Sequence, residues 1–82
     1  MNQSFHLQKL GQAFKAMRTR RGLTQEALAS LAGVTRLKVI AIEAGRSSVS
    51  IESHARLAAT LGAELSLLTR TRPTLEELKD FQ

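Results

Sequence analysis

The chain has 82 residues and no cysteine, so the sequence predicts one small domain without disulfides or thiolate metal sites. Apolar residues make up 43% of the sequence, which excludes a disordered chain, and every apolar run is far shorter than the ~18 residues of a membrane span. The net charge is +5, but residues 1–50 carry eight basic and two acidic side chains, whereas residues 51–82 carry four basic and five acidic ones. This asymmetry predicts a polyanionic partner, either nucleic acid or an anionic membrane face, with a basic surface kept for solubility as the alternative.

The first segment has the apolar periodicity of one helix face and ends at Gly22. The residues that recur at three- and four-residue steps are Phe5, Leu7, Leu10, Ala13, Phe14 and Met17. Gly11 lies inside this helix, where glycine costs about 1 kcal/mol against alanine. A close approach of another helix would explain this glycine.

Three further helices are predicted, each of which follows a hydroxyl residue and ends at a glycine. The second helix covers residues 25–32, between the cap Thr24 and Gly33. The third covers residues 36–43, between Thr35 and Gly45, and the fourth covers about 51–61, between Ser50 and Gly62. The side chains expected to face the core are Leu28, Leu31 and Ala32, then Val39 and Ile42, then Ile51, Ala55, Leu57, Ala58 and Leu61. The fold class is therefore all-α.

After Gly62 the pattern changes to the alternation of a short strand over residues 64–72, which Pro73 ends. No second strand is readable in the chain, so we expect the same strand of a second copy to pair with it and to bury Leu65, Leu67 and Leu68 in a homodimer interface. The alternative is a fifth helix over residues 63–69. A turn or two of helix is expected over residues 75–80. The domain division is thus residues 1–63 for the helical domain and 64–82 for a dimerisation or partner tail.

The second and third helices are joined by Gly33, Val34 and Thr35, the connection of a helix-turn-helix. Ala29 lies where the two helices cross, and its small side chain permits close contact. In a helix-turn-helix the second of the two helices enters the DNA major groove with its N-terminal residues at the base edges. Helix pairs of this kind also occur in proteins that bind no nucleic acid.

The stretches GLTQEALA at residues 22–29, LAGVT at 31–35 and IEAGR at 42–46 resemble the Cro/C1-type helix-turn-helix family. The resemblance covers residues 7–62 and implies a compact five-helix bundle that binds operator DNA as a dimer. The strand-like tail resembles that of HipB-like antitoxins. This second resemblance implies strand exchange in the dimer and repression of the protein's own toxin–antitoxin operon.

The resemblance also implies roles for individual residues. The residues expected to face base edges are Arg36, Leu37 and Ala41. The residues expected to contact phosphate are Gln25, Arg46 and Ser47, and Gln25 also matches a glutamine that buttresses the motif. Arg18 and Glu43 match a structural pair that ties the first helix to the end of the third. Ala44 departs from the family, because relatives often carry a phosphate-binding Asn or Arg at that position.

The chemistry of these side chains refines the expectation. Arg36 can donate two hydrogen bonds to guanine, whereas Leu37 and Ala41 can offer only apolar contact to a thymine methyl group. Lys38 is expected at a phosphate, with a free surface lysine as the alternative. Thr24 and Thr35 are helix caps first, and their hydroxyls are also candidates for phosphate contact.

No enzymatic, metal or cofactor site is expected. His6 and His54 are isolated, and Asp80 is the only aspartate of the chain, so no catalytic triad is readable. The N-terminus lacks the apolar stretch of a secretory leader, which predicts a cytoplasmic protein. The function expected is a dimeric, autoregulatory repressor that binds a palindromic operator in double-stranded DNA, as an antitoxin in the HipB-like case. The alternative is a protein-interaction module whose tail binds a partner such as a cognate toxin.

Overall fold

The computed structural model describes residues 3–67, and these form four helices. They are α1 (Gln3–Arg20), α2 (Gln25–Ala32), α3 (Arg36–Glu43) and α4 (Ile51–Thr60). The bounds of α2 and α3 are those that the caps and glycines predict, and α4 ends one residue earlier than expected. All-α architecture is confirmed for this part of the chain.

The hydroxyl caps explain where the last three helices begin. Thr24 accepts a hydrogen bond from the Ala27 amide, Thr35 accepts one from the Lys38 amide, and Ser50 accepts one from the Ser53 amide. Each bond satisfies an amide of the first turn that has no partner within its helix. At the end of α2, Gly33 takes a left-handed conformation with a φ of 72°, which turns the chain directly into α3.

The core lies where α2, α3 and α4 meet beneath α1. The large side chains that are fully buried are Leu28, Val39, Ile42, Leu57 and Leu61. Phe14 closes this cluster from α1, and Ala29 is buried at the crossing of α2 and α3. Because α3 contributes only Val39 and Ile42, the opposite side of that helix remains available to solvent.

Gly11 is explained by the contact between α1 and the end of α3. A Cβ atom at this position would lie 2.6 Å from the Glu43 carbonyl oxygen and closer still to that of Ile42. Both atoms belong to backbone that cannot rotate away. The close approach of another helix that Gly11 predicts is therefore present: the end of α3 packs against α1 at this glycine.

Three residues expected in the core, Leu31, Ile51 and Ala55, are exposed, whereas His54, which is not among the residues expected there, is buried. Leu31 is 66% exposed and Ile51 is 73% exposed. On α2, Leu28, Ala29 and Ala32 fill the core-facing arc, and Leu31 falls beside it. His54 is buried, and its Nδ1 lies 2.8 Å from the Ser50 carbonyl oxygen, to which it donates.

The predicted C-terminal strand is not formed in residues 64–67, the part of it that the structure describes. Residues 63–67 are irregular, so the alternative fifth helix is not formed there either. A strand requires hydrogen bonds from a neighbouring strand, and residues 3–67 contain no other. Leu65 packs against the core of its own chain, whereas Leu67 is fully exposed there. The burial of both residues in a homodimer interface stays a prediction.

Leu68, the remainder of the predicted strand and the predicted helical turns at residues 75–80 lie outside the described residues. Within residues 3–67, no helix has both the length and the apolar character needed to cross a membrane.

Candidate nucleic-acid interface

The exposed face of α3 begins in its first turn, where Arg36, Leu37 and Lys38 are all solvent-exposed. Leu37 is 76% exposed, so its side chain is available for contact with a partner. Ala41 lies one helical turn after Leu37 and is half-buried. The structure therefore brings the three residues predicted to face base edges onto one short helix whose opposite side is fixed in the core.

The loop that follows α3 forms the second wall of an open cleft. The cleft has a volume of about 340 Å³ and is lined by Leu37, Lys38, Ala41, Ser48, Val49 and Ser50. Arg46 and Ser47, the predicted phosphate contacts of this loop, are exposed next to it in sequence. Sequence reasoning missed Val49, although a single apolar residue in an otherwise polar loop is a usable signal of contact with the core.

The two threonines predicted at phosphate lie at the starts of α2 and α3. The Thr24 hydroxyl oxygen is 3.0 Å from the Ala27 nitrogen, and that of Thr35 is 3.2 Å from the Lys38 nitrogen. In both bonds the hydroxyl accepts, so its own hydrogen remains free to be donated. The amides and the dipole at each helix start favour an anion at these positions.

Beneath this surface, a polar network joins α1, α2 and α3. The Arg18 guanidinium donates to both carboxylate oxygens of Glu43, over 2.6 Å from Nε and 3.1 Å from Nη2, and to the Leu23 carbonyl oxygen over 2.7 Å. The Gln25 side-chain amide donates to Glu43 over 3.1 Å. Arg18 and Glu43 are both largely buried. Sequence reasoning paired Arg18 with Glu43 but did not place Gln25 in the same network.

The network fixes the charge state of Arg18. Its hydrogen bonds to Glu43, followed by the electrostatic attraction of that carboxylate, raise the pKa of Arg18 above its ordinary value despite burial. Arg18 therefore stays charged throughout the pH range of nucleic-acid binding. The same bonds hold the end of α1, the start of α2 and the end of α3 in fixed positions relative to one another.

Two further features limit what this surface can do. Ala44, which follows α3 as its cap, offers no side-chain donor for a phosphate. Among residues 3–67, no cluster of three His, Asp or Glu side chains could hold a metal ion. The available chemistry is that of exposed cations, helix starts and an apolar helix face.

Comparison with known proteins gives three similarities. A family model described as a helix-turn-helix domain matches residues 9–78. A protein from Methanothermobacter thermautotrophicus named an uncharacterized HTH-type transcriptional regulator is 54% identical over 43 residues, which cover 52% of this chain and 62% of that protein. This chain thus spans less than two thirds of the regulator's length.

The third similarity is structural. The crystal structure of the restriction-modification controller protein C.AhdI from Aeromonas hydrophila is 41% identical in sequence and superposes with a TM-score of 0.66. The superposition covers 72% of this chain and 89% of the controller chain.

Proposed function

The chain belongs to the helix-turn-helix domain family, of the Cro/C1 type, and we propose that it is a transcriptional regulator that binds a specific sequence in double-stranded DNA. The basic charge of residues 1–50 supplies the attraction to phosphate that any such protein requires. The names of its two relatives, a transcriptional regulator and a restriction-modification controller, support the same function.

The observation that carries this proposal is the exposed side of α3. In a helix-turn-helix, the second helix enters the major groove with its outer side free, while its inner side packs on the rest of the domain. Val39 and Ile42 hold α3 in the core, while Arg36, Leu37 and Lys38 project outward beside the cap Thr35. In this arrangement Arg36, Leu37 and Ala41 face the base edges.

Phosphate contacts flank α3 on both sides of the groove. Thr24 and Gln25 lie at the start of α2, Thr35 and Lys38 lie at the start of α3, and Arg46 and Ser47 lie in the following loop. Phosphate contacts fix register without reading sequence, so they account for affinity, whereas α3 accounts for specificity.

The protein acts as a homodimer in this proposal, with residues 1–63 binding DNA and residues 64–82 joining the two copies. The dimer surface is formed by Leu65, Leu67 and Leu68. A two-fold dimer reads an imperfect palindrome, with half-sites about 10 base pairs apart centre to centre. Binding upstream of its own gene would repress that gene and so make the regulator autoregulatory.

Footprinting tests this function directly. The DNA upstream of the gene, and sequences selected by the protein from a pool of random duplexes, are mapped with wild-type protein and with Arg36→Ala. We expect protection of a palindromic site by the wild type and weakened protection by the variant. Arg56→Ala is the matched control, because Arg56 is an exposed arginine on α4 that pairs with Glu52. Equal affinity for selected and random DNA would contradict the proposal.

A second candidate concerns which genes are regulated. The 41% identity with the controller protein favours control of a restriction-modification operon. The antitoxin function was inferred from a strand-like tail, and residues 64–67 do not support it. Co-purification with the product of the adjacent gene distinguishes a toxin-binding tail from a regulator that acts on DNA alone.

A further inference from the structure

On the side of the domain formed by α1 and α4, an apolar groove runs along α1. Leu10, Phe14 and Met17 line it from α1, and Leu65 lines it from the segment after α4. Glu64 is the only charged residue of the lining. The groove has a volume of about 150 Å³, and within residues 3–67 it stays open to solvent. Its surface is therefore available to an apolar segment.

A basic cleft continues this groove at the end of α1. Met17 lines both, and Arg20 and Arg21 complete a cleft of about 120 Å³. Both arginines are exposed, and the guanidinium of Arg21 reaches across to Gly62 at the end of α4. The groove and the cleft together suit a segment that carries apolar side chains on one face and acidic side chains on the other.

The C-terminal segment of the chain, TLEELKDFQ at residues 74–82, has this character. The helical turns that the sequence predicts over residues 75–80 place side chains three residues apart on one face. The residues on this apolar face are Leu75, Leu78 and Phe81, and those on the opposite, acidic face are Glu76, Glu77 and Asp80. Three of the seven acidic residues of the chain thus fall within five positions.

The symmetry of the proposed dimer indicates which groove this segment reaches. Where two copies cross at Leu67 and Leu68 about a two-fold axis, each residue after the crossing lies beside a residue of the other copy that is equally far before it. Residues 70 and 71 then lie beside Leu65 and Glu64 of the second copy, and both of those line its groove. The chain arrives at the second copy's groove directly, whereas its own groove would require a reversal within residues 68–74.

We propose that residues 75–81 of each copy pack into the groove of the other copy, with the apolar face against the lining and the acidic face at Arg20 and Arg21. The inference rests on the homodimer of the proposed function. It adds a reciprocal contact, made twice per dimer, to the contact made by residues 64–72. Because opposite charges meet at the basic cleft, salt should weaken the dimer.

Disulfide cross-linking tests the exchange, since the chain has no cysteine of its own. Ala13 is exposed although it lines the groove, so Ala13→Cys supplies one thiol, and Gln82→Cys supplies the other in a second, affinity-tagged copy. After mixing and mild oxidation, we expect a disulfide-linked dimer of one tagged and one untagged copy. Lys15→Cys is the matched control, because Lys15 is exposed on the opposite side of α1 and should link at least about tenfold more slowly.

Substitutions in the segment and the cleft assign the contact. Leu78→Asp should raise the dissociation constant of the dimer at least about tenfold in sedimentation, because a carboxylate would enter each apolar groove. Thr74→Asp is its control, since aspartate adds the same charge at a helix cap outside the apolar face. Replacing Arg20 and Arg21 by glutamine should remove most of the salt dependence of dimerisation.

Two results would overturn the inference while leaving the proposed dimer and its DNA binding standing. One is a dimer in which Ala13→Cys links no faster than Lys15→Cys. The other is a bond within one chain when Ala13→Cys and Gln82→Cys are placed together, which would show that each segment fills its own groove. A wild-type protein that sediments as a monomer would overturn the dimer and the exchange together. Specific DNA binding is measured separately by footprinting without cross-linking, so its failure is distinguishable from all of these.

Discussion

At the scale of single residues, Glu43 connects three helices through one carboxylate. It accepts two hydrogen bonds from Arg18 and one from Gln25, and all three donors come from segments that precede α3 in the chain. A charged group that is removed from water must be compensated by such bonds, because an unpaired buried charge costs several kcal/mol. The main effect of the network is therefore to fix the position of α3, with its outer side exposed. Its net contribution to the stability of the fold is smaller.

We expect Glu43→Ala to lower the free energy of unfolding by about 3–5 kcal/mol, because it leaves the Arg18 guanidinium buried without its partner. Urea unfolding followed by circular dichroism measures this loss. Glu52→Ala is the matched control, since its ion pair with Arg56 is exposed and should contribute less than about 1 kcal/mol. Because the pKa of Arg18 is raised, the stability that its pairing with Glu43 contributes is present below the ordinary arginine pKa and is lost only in strong alkali. The destabilisation caused by Glu43→Ala should therefore be the same across neutral pH. Similar losses for both variants would contradict the structural role of the network.

Arg36 and Lys38 are neighbours on α3, but they should differ in what they recognise. Arg36→Ala is expected to weaken binding to the selected operator by about 1–3 kcal/mol and to relax preference at one base pair of each half-site. Lys38→Ala should weaken operator and random DNA alike and reduce the slope of log affinity against log salt by about one per half-site. Competition binding over a salt series separates the two effects. An equal loss on both DNAs for Arg36→Ala would show that Arg36 contacts phosphate instead.

At the scale of helices, local signals specify nearly all of the described fold. The caps Thr24, Thr35 and Ser50 and the glycines that end each segment set the helix limits, because a cap or a left-handed turn depends on only a few adjacent residues. The sequence also placed Arg36, Leu37 and Lys38 at the start of α3. The burial of a side chain depends on which helices pack against it in the folded domain. The burial of His54 and the exposure of Leu31 therefore could not be predicted from periodicity.

The segment after α4 was the least predictable for a different physical reason. Alternation over residues 64–67 is compatible with a strand, but a strand forms only where another chain segment supplies hydrogen bonds. Likewise, Val49 could be recognised as an apolar residue in a loop, but its place in the cleft depends on where α3 lies. Such features belong to contacts between elements and not to any one element.

Gly11 provides a test of helix packing. Alanine normally stabilises a helix interior by about 1 kcal/mol relative to glycine, but a Cβ here would collide with the carbonyl oxygens of Ile42 and Glu43. We therefore expect Gly11→Ala to destabilise the protein by about 1–3 kcal/mol, because the end of α3 must shift. Thermal unfolding measures the change. Ala16→Gly, at an exposed position of the same helix, is the matched control and should cost about 1 kcal/mol through helix propensity alone. A stabilised Gly11→Ala protein would mean that α1 and α3 are not in this close contact.

At the scale of the whole molecule, the domain is small and leaves apolar surface uncovered near its C-terminal end. Leu65 lies over a groove of about 150 Å³ between α1 and α4, which is lined in part by Leu10, Phe14 and Met17. Leu67, two residues later, has no cover from residues 3–67. A second copy placed here would add hydrophobic burial that a chain of this size lacks, and it would fix the distance between the two α3 helices.

The proposed dimer predicts that Leu67→Asp leaves the protein monomeric, because a carboxylate would have to be buried in an apolar interface. Unfolding of the monomer should change little, since Leu67 is fully exposed within one chain. Operator affinity should fall and the footprint should shrink to a single half-site, because two linked α3 helices bind far more tightly than one. Sedimentation at micromolar protein measures the association state. Leu31→Asp is the control, because it places the same charge at an exposed leucine of α2 and should leave the dimer intact. If Leu67→Asp sedimented as a dimer while Leu31→Asp did not, the two copies would meet through α2 instead, and the role of residues 64–82 in dimerisation would have to be abandoned.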